Sequence, residues 1–129
     1  MQNDLLFVYG TLKKGCRANN LLETCEFLGT AITKPLYQLF DCGSYPAMVK
    51  TDPGEQISGE IYLINPATRE TLHTYEGVNY GLYEYLPIEL NKISFSNFEF
   101  DKFMNKNVYA YIFNGDCKNL RKISGWTCL

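Results

Sequence analysis

The chain is poor in histidine, carries no strong charge of either sign and lacks any long apolar run. Each shortage excludes something. One histidine, His73, stands among 129 residues. The paired His/Cys spacings of a transition-metal site are therefore missing, and no dedicated metal site is expected. Lysine and arginine number 12 against 14 aspartates and glutamates, a net charge of −2. Nucleic-acid binding, which needs a basic footprint, is not expected. No stretch approaches the roughly 18 apolar residues of a membrane span, so no membrane partner is expected. The five cysteines, Cys16, Cys25, Cys42, Cys117 and Cys128, form no CxxC pair. Their odd count, with no apolar leader ahead of them, points to a reducing, cytoplasmic setting.

What is present suits a single domain over residues 1–129. Ten Tyr and eight Phe bring the aromatics to 15%, and flat, stiff rings favour a pleated, half-buried surface. Leu5 to Tyr9 reads as a buried strand that stops at Gly10, and Gly10 to Gly15 is a loop closed by glycine at both ends. A short helix is expected over Asn19 to Cys25. Strands are expected at Phe27–Thr33, Leu36–Phe40 and Ile57–Ile64, with a short extended piece at Tyr45–Val49. Asn65-Pro66 supplies an N-cap and a first-turn proline, so a helix should run through Leu72 and Tyr75 to Gly77. Leu82 to Leu90 alternates, with Leu82, Leu86, Ile88 and Leu90 on one face and Tyr83, Tyr85 and Glu89 on the other. Residues 91–106 read as strand pieces around a turn, Val108–Phe113 as a two-faced strand, and the tail from Asn114 as polar up to Trp126. Strands outnumber helices without βα alternation. The expected class is α+β, a strongly curved sheet or small mixed barrel with helices against it.

Few side chains are placed for chemistry. Gly10-x-x-x-x-Gly15 imitates a phosphate loop, but Cys16 and Arg17 follow where lysine and a hydroxyl residue are needed. The loop keeps amides able to face an anion such as a carboxylate, although a plain strand-to-helix connection with flexible glycines is the favoured reading of so short a motif. Glu76 sits in the last helical turn, where the helix dipole opposes a negative charge, which marks it as a candidate general base. The bland alternative is an exposed helix-end glutamate. His73, three residues earlier, can reach Glu76 or simply face solvent. Glu84 interrupts an aliphatic strand face and belongs either at the core rim or in a second buried site. Lys13, Lys14 and Arg17 read as a solvated face that could also attract an anion.

Phe7-Val8-Tyr9-Gly10-Thr11-Leu12-Lys13-Lys14-Gly15 resembles the opening motif of the gamma-glutamylcyclotransferase-like family, in its AIG2-like and gamma-glutamylamine cyclotransferase branch. Phe27-Leu28-Gly29, Tyr45-Pro46-Ala47, Gly59-Glu60-Ile61-Tyr62, Tyr75-Glu76-Gly77 with Leu82-Tyr83, and Tyr109 to Phe113 follow in the family's order. Where the family often has Tyr-x-Arg after the glutamate, this chain reads Tyr83-Glu84-Tyr85. The resemblance implies a small mixed β-barrel with flanking helices and a pocket at the first loop. It implies that Tyr9, Gly10, Thr11 and Leu12 bind a gamma-glutamyl group, that Glu76 is catalytic and that Tyr83 lines the pocket wall. The implied reaction is cofactor-independent cyclisation of a gamma-glutamyl amine, amide or peptide to 5-oxoproline, with release of an amine or amino acid. A binding protein that keeps the pocket without turnover is the alternative, and a plain interaction domain a third. The chain is expected to be a monomer or weak dimer.

Overall fold

The computed structural model describes residues 2–95 and 106–128. Strand β1 (Asp4–Val8) lies inside a six-stranded sheet and pairs antiparallel with β5 (Ser58–Ile64) and parallel with β8 (Val108–Phe113). Beyond β5 come β2 (Glu26–Thr33) and β7 (Leu90–Phe95), and beyond β8 comes β6 (Tyr83–Ile88). A second sheet holds β4 (Pro46–Lys50), β3 (Tyr37–Asp41) and β9 (Arg121–Ile123) in that order. The one α-helix among the described residues, α1 (Pro66–Glu76), follows β5. The class is α+β as expected. The described strands make two sheets rather than one closed ladder, with β4 against β8.

The unbroken apolar run of β1 has a packing cause, since both of its faces are covered. Leu5, Phe7 and Tyr9 join Leu39 and Met48 of the small sheet and Ile61, Ala110 and Ile112 of the large one. Leu6 and Val8 point the other way, onto Leu12, Leu22, Tyr62, Ile64 and Leu72. Each of these side chains contributes about 1.5–3 kcal/mol when fully withdrawn from water. β8 divides in the same manner, with Val108, Ala110 and Ile112 on one core and Tyr111 on the other.

One local outcome differs from the sequence reading and two settle what it left open. Asn19–Leu22 forms only a 3-10 turn. In β6 the tyrosine face turns inward, with Tyr83 buried and Leu82 and Leu86 left 42% and 39% exposed. The apolar partners at that site are Tyr111 and Phe113, so stacking rings displace leucines. The polar tail contributes β9, which pairs Leu39 with Ile123 and carries the Arg121–Asp41 ion pair at 2.8 Å. The turn expected around residues 96–105 lies outside the described residues.

Candidate active site

Helix α1 presents Glu76. Asn65 caps its start, its side-chain oxygen accepting from the Thr68 amide at 2.8 Å, and Pro66 opens the first turn. Gly77 ends the helix in the left-handed region at φ 70°, where a side chain would be strained. Arg69, Leu72, His73 and Glu76 recur at intervals of three and four, so they share one stripe. Leu72 is fully buried. The rest of that stripe is hooked by polar bonds: Arg69 to Asp4 at 2.9 Å and His73 Nδ1 to the Tyr111 hydroxyl at 2.8 Å. Tyr85 donates to Asp4 at 2.7 Å and packs edge-on against the His73 ring. These contacts fix the helix's rotation and hence the direction of Glu76.

The loop after β1 meets Glu76 across a cavity of about 230 Å³ lined by residues that include Tyr9, Thr11, Leu12, Tyr83 and Tyr111. Its size suits a small ligand, below the ~300–1,000 Å³ of drug-sized sites. The carbonyls of Gly10, Thr11 and Leu12 are taken by Lys13 N, Ala18 N and Asn19 Nδ2 at 3.1, 3.0 and 2.8 Å. Three fixed peptide planes result. Among the described residues no protein acceptor takes the amides of Thr11 and Leu12. Successive amides of this kind form a concavity for an anion. Gly10 is required by closeness, because a Cβ there would stand 2.6 Å from Pro46 Cγ.

Glu76 is half-buried as a residue, but its carboxyl is withdrawn from water, and this desolvation raises its pKa to about 7. The phenols around it remain protonated. Burial raises Tyr9, Tyr83 and Tyr111 well above the ordinary tyrosine range, and the Glu76 charge pushes each further. Tyr9 donates to the Tyr111 carbonyl at 2.5 Å and Tyr83 to the Pro46 carbonyl at 3.0 Å. The Tyr75 hydroxyl bonds Thr11 Oγ1 at 2.9 Å, tying helix to loop.

All six residues singled out from sequence, Tyr9, Gly10, Thr11, Leu12, Glu76 and Tyr83, therefore border one cavity. His73 bonds Tyr111 instead of Glu76, and burial lowers its pKa. Glu84 is exposed on the outward face of β6. Tyr75 and Arg17 were not singled out as pocket residues, yet both line it. Tyr75 had no signal beyond adjacency to Glu76, and Arg17 stood only as one member of a basic cluster. No group of three or more His, Cys, Asp and Glu among the described residues could hold a metal ion.

The structure is thus a two-sheet α+β fold in which a desolvated carboxyl and a glycine-bounded loop border one small cavity. The chain is a member of the gamma-glutamyl cyclotransferase, AIG2-like family, which it matches over residues 6–127. It is 39% identical over 74 residues to a Vibrio cholerae protein and 35% identical over 94 residues to one from Arabidopsis thaliana. Both carry the name "Putative gamma-glutamylcyclotransferase". The matches take in 57% and 67% of this chain but 63% and 50% of those proteins. In fold the chain resembles an AIG2-like protein from Mus musculus, with a TM-score of 0.77, 18% identity and coverage of 98% of this chain and 90% of that one. A uropathogenic E. coli-specific protein gives a TM-score of 0.75 at 21% identity, covering 96% and 90%.

Proposed function

We propose that the chain is a gamma-glutamyl cyclotransferase in which Glu76 moves the proton. The observation that carries this reading is one small cavity that brings the desolvated Glu76 carboxyl together with the Gly10–Thr11–Leu12 loop. The substrate's α-ammonium loses a proton to the Glu76 carboxylate, and the freed nitrogen attacks the γ-carbonyl carbon of the same molecule. The new carbon–nitrogen bond closes a five-membered ring. The carbonyl oxygen becomes an oxyanion, placed within reach of the Thr11 and Leu12 amides. Its collapse breaks the original amide bond as Glu76 gives its proton to the departing nitrogen. Glu76 then takes the second proton from the ring nitrogen and passes it to the freed amine, which leaves as the ammonium. Glu76 ends as it began, and 5-oxoproline and an amine or amino acid leave. A pKa near the working pH suits a group that both takes and gives a proton. Ring closure already has a high effective molarity, so holding the chain folded back supplies much of the acceleration. Tyr9 and Tyr83, kept as phenols, line the walls without competing for the proton.

The test is 5-oxoproline release from a panel of gamma-glutamyl amines and dipeptides, with Glu76→Gln beside wild type. Release that falls by about 100-fold or more in the variant is expected. Ligand binding without release from wild type would instead assign a binding protein.

A further inference from the structure

The three cations after Gly10 have separate fates. Lys13 Nζ donates to the Trp126 carbonyl. The Lys14 ammonium lies 3.4 Å from the centre of the Phe27 ring. Arg17 alone of the three lines the cavity, and with Glu76 it supplies the only formal charges of that lining among the described residues. One Arg17 N–H donates to the Ser44 carbonyl at 2.7 Å. A guanidinium has five N–H donors, and no carboxylate pairs with this one among the described residues. The backbone beneath it is anchored, because Cys16 is disulfide-bonded to Cys128. Arg17 is exposed while Glu76 is withdrawn, so the two charges mark the outer and inner ends of the site.

We propose that Arg17 determines specificity by binding a carboxylate on the leaving half of the substrate, so that gamma-glutamyl amino acids are preferred over gamma-glutamyl amines. The inference rests on the cyclotransferase reading of this pocket. The reacting amine, the carbonyl and the α-carbon all belong to the forming ring, so they stay together at the inner end beside Glu76 and the loop amides. The leaving half is the part that projects outward. The remaining lip, which includes Tyr45, Pro46, Tyr75 and Leu82, is aromatic or apolar. A carboxylate there has one cation to meet, and a planar fork can hold both of its oxygens.

A matched pair tests this: gamma-glutamyl-alanine and gamma-glutamyl-ethylamide, whose leaving groups differ by one carboxylate. Wild type is expected to favour the alanine compound in kcat/KM by about 5- to 10-fold, the scale of a charge-assisted contact at a partly solvated site. Arg17→Gln should bring the ratio close to one, Arg17→Lys should restore part of it, and added salt should erode it in wild type. A ratio unchanged in Arg17→Gln, or equal losses on both substrates, would overturn the assignment by placing the guanidinium elsewhere. If neither compound yields 5-oxoproline, the cyclotransferase reading fails, and calorimetric titration of the same pair decides the Arg17 claim separately. Tighter binding of the alanine compound that vanishes in Arg17→Gln supports it; equal binding, or none, overturns it.

Discussion

Glu76 titrates near pH 7 because its carboxylate has lost water, and folding feels the same loss. In the unfolded chain the group has an ordinary pKa of 4.5. Between about pH 4.5 and 7 the folded state therefore holds the proton more often than the unfolded state does. Stability falls as pH rises through that window and levels off above about 7. The full effect is on the order of 3 kcal/mol. Glu76→Gln should be more stable than wild type at pH 8 by up to about 3 kcal/mol, with the gap closing near pH 4. Urea unfolding at the two pH values checks this, and a gap that widens toward acid would contradict it. In wild type, kcat/KM for 5-oxoproline release should rise with pH through an apparent pKa near 7, as the base form fills. Gly10 sets a steric limit beside this electrostatic one. Gly10→Ala puts a methyl where Pro46 stands, so loop or strand must move. A loss of about 1–3 kcal/mol in unfolding free energy and of ~10-fold or more in kcat/KM is expected.

Helix α1 is held less by oil than by hooks. Leu72 is its one buried residue, while Arg69 and His73 bind Asp4 and Tyr111. A helix seated on one leucine could rotate, and these bonds prevent it. Asp4 accepts from both Arg69 and Tyr85. Asp4→Ala should cost about 1–2 kcal/mol of stability and lower kcat more than it raises KM, because Glu76 loses its aim rather than its affinity. Equal stability with unchanged kcat would show that Leu72 suffices. The helix limits were legible beforehand, since Asn65, Pro66 and Gly77 act locally through single backbone groups. The inward face of β6 was not legible. Leucine and tyrosine rows alternate there with similar apolarity, and only the aromatic neighbours on β8 decide which row turns in.

Across the whole molecule, the Cys16–Cys128 disulfide closes a loop of sequence separation 112. It joins the pocket loop to the end of the tail, where the Trp126 carbonyl also receives Lys13. A cross-link over such a span restricts the unfolded chain, and about 2–4 kcal/mol is typical. Reduction, or Cys16→Ser, should lower the unfolding free energy by about that amount, whereas Cys25→Ser, at a free thiol, should not reproduce the effect. Insensitivity of the melting temperature to dithiothreitol would refute the prediction. This bond runs against the reducing setting that the odd cysteine count suggests. The fold brings Cys16 and Cys128 to a Cα–Cα distance of 5.3 Å, a proximity that no local pattern of the five cysteines encodes.

By itself the sequence determined what depends on short stretches: the apolar run of β1, the glycine-bounded loop, the capped helix and the placement of Glu76 in its last turn. Each follows from backbone chemistry acting within a few residues. The tertiary structure alone decided which distant groups share water. It buried the carboxyl of Glu76 beneath Tyr9, Tyr83 and Tyr111, sent Lys13 and Lys14 away from the cavity and left Arg17 at its edge. Desolvation and charge pairing are set by neighbours from other strands, and no local pattern specifies them.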